Sequence, residues 1–372
     1  MPECSAMHAQ GNPGWFAQCE PVVRQSLLEC DRLDNLASSQ SRDIGGHCKI
    51  RQVRGQKIFD VYLTFVRRFN RDQETRMSVS AMKPMRSMMF VPGNKPDWIE
   101  KSVAASADAL ILDLEDSVPH DLKVEARGIV RSRLAWLAQQ GQRLFVRINR
   151  SPHLYDFEDI VAVVGPHVEG IVISKPIGPE DVDCVSMMLS EAEYRNGVAL
   201  GSTRVIPLLE TARALELAYE IAKRDRVGAI CGCTARNADV ARALGYVWTP
   251  DGRETLYLKS RAVMAARAAG KLPIGGVWQQ VRDLDGLRKS SLLDRNLGMS
   301  GELVLHPSNV ATANEVYSPS PEEVAYYEGM IAALEQAQAN GRASTIYDGE
   351  HIDIAHVKTA QDILALAKSF SA

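Results

Sequence analysis

The chain has 372 residues, 45% hydrophobic and 24% charged, a composition that excludes a disordered chain, a collagen and a small disulfide scaffold. Its 43 Lys and Arg against 46 Asp and Glu leave a formal charge of -3, with no electrostatic footprint for nucleic acid or an anionic membrane. Seven cysteines without a C-x-x-C pair read as free thiols of a reducing compartment, and no apolar stretch of about 18 residues or signal-peptide pattern occurs. The chain therefore reads as cytoplasmic.

Residues 1–80 carry scattered Gly, Ser and Gln without sustained periodicity, and are expected to form a poorly structured extension. From Arg86 onward, short runs rich in Val, Ile and Leu alternate with longer stretches of helical spacing, the signature of repeated βα units. The predicted strands are Ser87–Val91, Ala109–Leu114, Leu144–Ile148, Gly170–Ser174, Val205–Leu209, Val227–Cys231, a weak one at Ile274–Trp278, and Glu302–Leu305. Such a series over roughly 250 residues fits a (β/α)8 TIM barrel. An open doubly wound sheet would normally begin with a Gly-rich phosphate turn, and none is present. The expected division is a barrel over 81–325 followed by a C-terminal helical segment over 326–372, with a final helix at Ile354–Ser369.

Barrel enzymes build their sites at the C-terminal ends of the strands. Here those ends carry Asp113, Glu115 and Asp116, then Arg147 and Asn149, then Lys175, Glu210 and Thr211, and finally His306. Each alone could cap a helix or face solvent. Together, several carboxylates with an Arg and a Lys on one rim suit a hard divalent cation and an anionic, oxygen-rich substrate. Lys175 and His306 are expected to face that substrate. A Schiff-base role for Lys175 is disfavoured, because neighbouring carboxylates keep an ammonium protonated.

Several separated segments then carry a family resemblance: Arg86-Ser87-Met88-Met89-Phe90-Val91-Pro92-Gly93, Leu112-Asp113-Leu114-Glu115-Asp116, Val146-Arg147-Ile148-Asn149, Leu209-Glu210-Thr211-Ala212 and Leu305-His306-Pro307-Ser308. The chain resembles the citrate lyase β-subunit-like (HpcH/HpaI aldolase) family of CoA-ester lyases, in the phosphoenolpyruvate/pyruvate barrel superfamily. The resemblance implies Mg2+ held by Glu210 and Asp239, although the stretch between Gly232 and Asp239 is longer than the usual pattern. It implies Arg147 as a substrate-binding residue, Glu115 and Asp116 as holders of metal-bound water, and Arg86 and Lys95 near the acyl-carrier phosphates. Tyr347-Asp348-Gly349-Glu350-His351-Ile352-Asp353 resembles a segment that reaches a neighbouring subunit, which implies a homotrimer or hexamer with Asp353 as catalytic acid/base.

The activity so implied is reversible cleavage of a 3-hydroxyacyl-CoA thioester, such as malyl-CoA or citramalyl-CoA, into acetyl-CoA and a small 2-oxo acid. A malyl-CoA thioesterase, a citryl-acyl-carrier lyase subunit and a non-catalytic binding subunit are the alternatives. No nucleic acid or membrane partner is expected.

Overall fold

The computed structural model describes residues 82–371 apart from 152, 153 and 233, so the expected extension over 1–80 lies outside the described residues. Each apolar run becomes a short strand, and each strand is followed by a crossover that returns the chain to the same end, which makes the pairing parallel. The strands are β1 (Ser87–Pro92), β2 (Ala109–Asp113), β3 (Leu144–Arg147), β4 (Gly170–Ile173), β5 (Arg204–Pro207), β6 (Ala229–Cys231), β7 (Leu272–Gly275) and β8 (Gly301–Val304). They form an eight-stranded sheet in the order β5-β4-β3-β2-β1-β8-β7-β6. Parallel bridges Val205–Val227 and Leu208–Cys231 join its two ends, so the sheet closes into the expected (β/α)8 barrel.

Among the described residues, ten α-helices surround or follow these strands up to Tyr317: α1 (Pro96–Lys101), α2 (Lys123–Gln139), α3 (Phe157–Val163), α4 (Pro179–Arg195), α5 (Ala212–Glu216), α6 (Ala218–Ala222), α7 (Asp239–Leu244), α8 (Leu256–Ala268), α9 (Leu284–Leu297) and α10 (Pro307–Tyr317). The weak strand expected at Ile274–Trp278 runs instead from Leu272 to Gly275. Its pairing with β8 ends at Gly275–Glu302, and Gly276, at φ 96, turns the chain away.

Alternation along the strands separates two cores. Met88, Ala109, Ile111, Phe145, Val172, Ile206 and Leu208 point into the barrel and pack on one another. Their neighbours Met89, Leu110, Leu112, Val146, Ile171, Ile173 and Val205 point outward into the helix layer. Below the barrel, Met82 and Met85 belong to the interior cluster, so the chain entering β1 plugs the N-terminal end.

The C-terminal segment is α11 (Pro321–Ala339), a hairpin of β9 (Thr345–Tyr347) and β10 (Glu350–Ile352), and α12 (Ile354–Ser371). Because α11 starts at Pro321, the expected boundary at 326 falls inside a helix. Asp348 and Gly349 at φ 47 and 81 make a two-residue turn with both residues left-handed, the type I′ geometry that suits a tight hairpin. Met330, Leu334, Ile352, Val357 and Ala360 give this segment a small core of its own. No helix among the described residues is long and apolar enough to cross a membrane.

One buried polar cluster sits on the outward side of β8, away from the mouth. Lys259 of α8 meets Asp294 of α9 at 2.6 Å, and the Ser291 hydroxyl donates to Glu302 Oε2 at 2.8 Å. The other Glu302 oxygen and the Tyr317 hydroxyl are buried without a hydrogen-bond partner. Burial pushes the Glu302 carboxyl up to about 8, opposed by the Ser291 hydrogen bond and the Lys259 charge and reinforced by Asp294.

The folded protein therefore keeps the Glu302 proton to higher pH than the unfolded chain does. Stability from this group is complete below the ordinary Glu value of about 4.3, declines as pH climbs, and levels off above about 8. Urea unfolding is expected to show wild type losing on the order of 5 kcal/mol across that window, while Glu302→Gln loses much less. An equal slope in both proteins would assign the pH dependence to other groups.

Candidate active site

The inward positions that carry apolar side chains low in the barrel carry polar ones at its top. Ala109 and Ile111 are followed by Asp113, Phe145 by Arg147, Val172 by Ser174, and Ile206 and Leu208 by Glu210. The β2–β3 register sets Asp113 beside Arg147. Arg147 Nε and Nη2 donate to the two Asp113 oxygens at 2.7 and 2.6 Å, a bidentate pair, and Nη1 lies 3.3 Å from Glu115 Oε2. Phe90 covers the guanidinium at 4.7 Å from its ring centre. Burial disfavours the Asp113 charge, but the Arg147 hydrogen bonds win and hold the carboxyl below its ordinary value. Gly93 is required beside them, because a Cβ there would stand 2.7 Å from the Asp113 carbonyl oxygen.

Lys175 ties the acidic residues together. It sits just beyond β4 in the left-handed region at φ 52, which costs a non-glycine residue about 1 kcal/mol. Four hydrogen bonds offset that strain. Its amide donates to Glu210 Oε2 at 3.0 Å, its carbonyl accepts from the Arg150 guanidinium, and its ammonium donates to Glu115 Oε1 and Asp116 Oδ2, both at 2.8 Å. The ammonium also lies 3.9 Å from Asp239 Oδ2. Burial opposes this charge, yet the Asp116 and Glu115 hydrogen bonds raise its pKa above the ordinary lysine value.

Glu210 differs from its neighbours, since it has no ion pair among the described residues. Burial pushes its carboxyl up to about 7, and the Lys175 and Arg147 charges recover only part of that shift. Asp239 opens α7, where it pairs with the exposed Arg242. Glu115 Oε2 is buried without a hydrogen bond. These oxygens fit a hard divalent cation of the Mg2+ type, which takes few carboxylates and keeps waters on its remaining positions. No group of three or more His, Cys, Asp or Glu that could hold a metal occurs among the described residues, so such a cation would rest on one or two carboxylates and water.

A cavity of about 480 Å³ opens over this cluster, lined by Asp113, Arg147 and Glu210 and by Phe90, Leu208 and Val277. Trp98 and Lys101 of α1 and His306 also line it. Sequence reasoning put Asp113 on the rim without giving it a role, and did not single out Lys101. The strand register points to the first, and the Trp98–Lys101 spacing, which puts both on one face of α1, points to the second. Lys95 is exposed at the α1 N-cap, beyond the mouth end of β1. His306 caps α10, with Nδ1 accepting from the Ser308 amide at 3.2 Å.

Two expected residues stand apart from this cluster. Arg86 precedes β1 and so lies at the opposite end of the barrel, where it grips Asp108 at 2.7 and 2.9 Å, bonds Ser318 at 3.0 Å and covers the Phe370 ring. The expectation of Arg86 near substrate phosphates is corrected: a strand's length separates it from the mouth. Asp353 joins β10 to α12, where Oδ1 accepts from the Ala355 amide at 2.9 Å and contacts His356 Nδ1 at 2.9 Å. Within its own chain its partners are local, and the His356 hydrogen bond holds its pKa below the ordinary value.

An acid-rich pocket at the C-terminal mouth of a (β/α)8 barrel, partly neutralised by one Arg and one Lys, defines a barrel enzyme for small anionic, oxygen-rich substrates. The chain belongs to the HpcH/HpaI aldolase/citrate lyase family, whose profile matches residues 86–307. A (3S)-malyl-CoA thioesterase of Cereibacter sphaeroides is 32% identical over 290 residues, covering 78% of this chain and 96% of the relative. An L-malyl-CoA/beta-methylmalyl-CoA lyase of the same organism is 32% identical over 314 residues, again covering 78% and 96%. The crystal structure of CitE from Mycobacterium tuberculosis in complex with magnesium and pyruvate is 27% identical, with a TM-score of 0.52 over 64% of this chain and 92% of that one.

Proposed function

We propose that the protein is a Mg2+-dependent carbon–carbon lyase that reversibly cleaves a 3-hydroxyacyl-CoA thioester, such as malyl-CoA or citramalyl-CoA, into acetyl-CoA and a 2-oxo acid. The observation that carries this reading is which carboxylates remain uncommitted. Asp113 is engaged by Arg147, Glu115 by Arg147 and Lys175, and Asp116 by Lys175, whereas Glu210 has no ion pair among the described residues and Asp239 has only the exposed Arg242 and, at 3.9 Å, Lys175. Glu210 and Asp239 would hold the cation, with Glu115 and Asp116 holding its water. When bound, Mg2+ supplies Lewis-acid stabilisation of the charge that develops on the oxo acid's oxygens. Arg147, fixed by Asp113, presents its remaining N–H bonds toward those same oxygens.

In the cleavage direction a carboxylate takes the proton of the carbinol hydroxyl, and the carbon–carbon bond breaks as the new carbonyl forms. The electron pair passes to the enolate of acetyl-CoA, whose methyl carbon then receives a proton. Asp353 of a neighbouring subunit is assigned that proton in a homotrimer or hexamer. The thioester would enter beside β1, past Trp98 and Lys101, with Lys95 and His306 on the same rim. The unpaired thiols Cys184 and Cys231 agree with a cytoplasmic location.

A thioesterase is the second reading, favoured by the equal identity of the thioesterase relative. Mass spectrometry of malyl-CoA incubated with the protein and Mg2+ separates the two. A lyase releases acetyl-CoA and glyoxylate, and a thioesterase releases free CoA and malate. If malyl-CoA and citramalyl-CoA are both untouched at every Mg2+ concentration, the reading is rejected.

A further inference from the structure

We propose that Lys123 is a positioning residue of the mouth: its ammonium bonds neutral oxygens of the turn after β2 and of the β3 end, and thereby sets Glu115 and Asp116 where they face Lys175 and would hold the cation's water. The inference names the group behind those two acids, and it rests on the lyase reading for their part in catalysis.

Lys123 is the first residue of α2, and Leu122 before it offers no side-chain cap. A cation is disfavoured at that end of a helix, where the peptide dipoles present their positive pole. The ammonium is nevertheless held there, because each of its three donors finds an acceptor. Nζ donates to the Leu114 carbonyl at 3.1 Å, to the Glu115 carbonyl at 2.9 Å and to Asn149 Oδ1. None of these acceptors is a carboxylate, and with all three donors engaged none is left for a substrate anion. What Lys123 does, it does through the backbone it grips.

The surrounding contacts fix that grip. Asn149 donates from Nδ2 and from its amide to Asp159 Oδ2 at 2.8 and 2.9 Å, which turns Oδ1 toward Lys123. Asp159, fully buried on α3, is held in turn by Arg127 Nε at 2.7 Å. Lys123 and Arg127 stand four residues apart, so one face of α2 carries both. On the mouth side, Asp113 accepts from the Glu115 and Ser117 amides at 2.9 and 3.1 Å. The turn after β2 is therefore held twice, by Asp113 through its amides and by Lys123 through its carbonyls. Its Glu115 and Asp116 side chains then both reach Lys175 at 2.8 Å. Removing Lys123 takes the donor from two carbonyls and from Asn149, and frees the turn to carry both acids out of place. Arg147 keeps its bidentate bond to Asp113 and with it its own aim.

The test compares wild type with Lys123→Ala and Lys123→Met, the second of which keeps the apolar stem should the first not fold. Calorimetry with Mn2+ reads the metal, and steady-state cleavage of malyl-CoA reads kcat and KM. Loss of a group that orients metal-site residues is expected to weaken Mn2+ binding and lower kcat by about 10- to 100-fold. The KM for the thioester should stay within about threefold of wild type, since no substrate contact is removed. Propylammonium, which replaces the missing donors, should restore part of the Lys123→Ala rate, whereas tetramethylammonium, a charge without N–H groups, should not. Wild-type Mn2+ affinity in the variant that folds, or a raised KM with kcat and Mn2+ affinity unchanged, overturns the inference and leaves the lyase reading standing. If wild type itself neither binds Mn2+ nor cleaves malyl-CoA or citramalyl-CoA, the lyase reading fails and the inference falls with it.

Discussion

Glu210→Gln is expected to lower turnover by at least about 100-fold while the protein stays folded. The amide keeps the shape of the side chain and still accepts from the Lys175 amide, which lies 3.0 Å from Oε2 in the wild type. Because burial already pushes the Glu210 carboxyl up to about 7, a neutral group suits the position, and no loss of stability is expected. What disappears is the carboxylate at the mouth that has no ion pair among the described residues. Calorimetry with Mn2+ should then show binding in wild type and little or none in the variant. Asp239→Asn is expected to act in the same direction with a smaller effect, since Arg242 and Lys175 already share that carboxylate. If chelation by EDTA and Glu210→Gln both leave turnover intact, the metal assignment is wrong.

Most of the barrel was legible because its signal is local. Each strand announces itself as a run of branched apolar residues, and the period of two then separates an interior set from a helix-facing set. The same alternation explains the site: Asp113, Arg147, Ser174 and Glu210 are the next inward positions above Ile111, Phe145, Val172 and Leu208. A reading that looked only for polar residues at strand ends put Asp113, Arg147 and Glu210 on one rim but gave Asp113 no role, because its part depends on pairing between β2 and β3. Arg86 shows the converse error. It belongs to a recognisable segment, yet it precedes β1, and a residue before a barrel strand belongs to the end away from the mouth.

Other features needed tertiary contacts. Glu302 stands on the outward face of β8, so only the helices packed there make it a buried acid. Lys175 looks from sequence like a single rim cation, whereas its left-handed backbone lets one residue touch Glu210 through the amide and Glu115 and Asp116 through the ammonium. The β9–β10 hairpin was legible in principle, because Asp348-Gly349 between short extended runs is a strong two-residue turn signal.

Subunit mixing is expected to restore activity from two inactive variants, Asp353→Ala and Glu210→Ala. The motivation is where Asp353 stands: among the described residues its carboxylate bonds Ala355 and His356, and none of the residues lining its own cavity. A general acid/base must come within roughly 3 Å of its proton or act through one water. In the proposed trimer or hexamer, each mouth would take Glu210 from one chain and Asp353 from the next. Mixed under conditions that allow exchange, some mouths would then pair a wild-type Glu210 with a wild-type Asp353, and part of the wild-type rate should return. The homogeneous variants should stay inactive under the same exchange conditions. If mixing restores nothing although mass spectrometry shows mixed oligomers, every mouth draws both residues from one chain or does not use Asp353. The proton must then be carried by a group already at the mouth, and the dependence of catalysis on assembly goes with it.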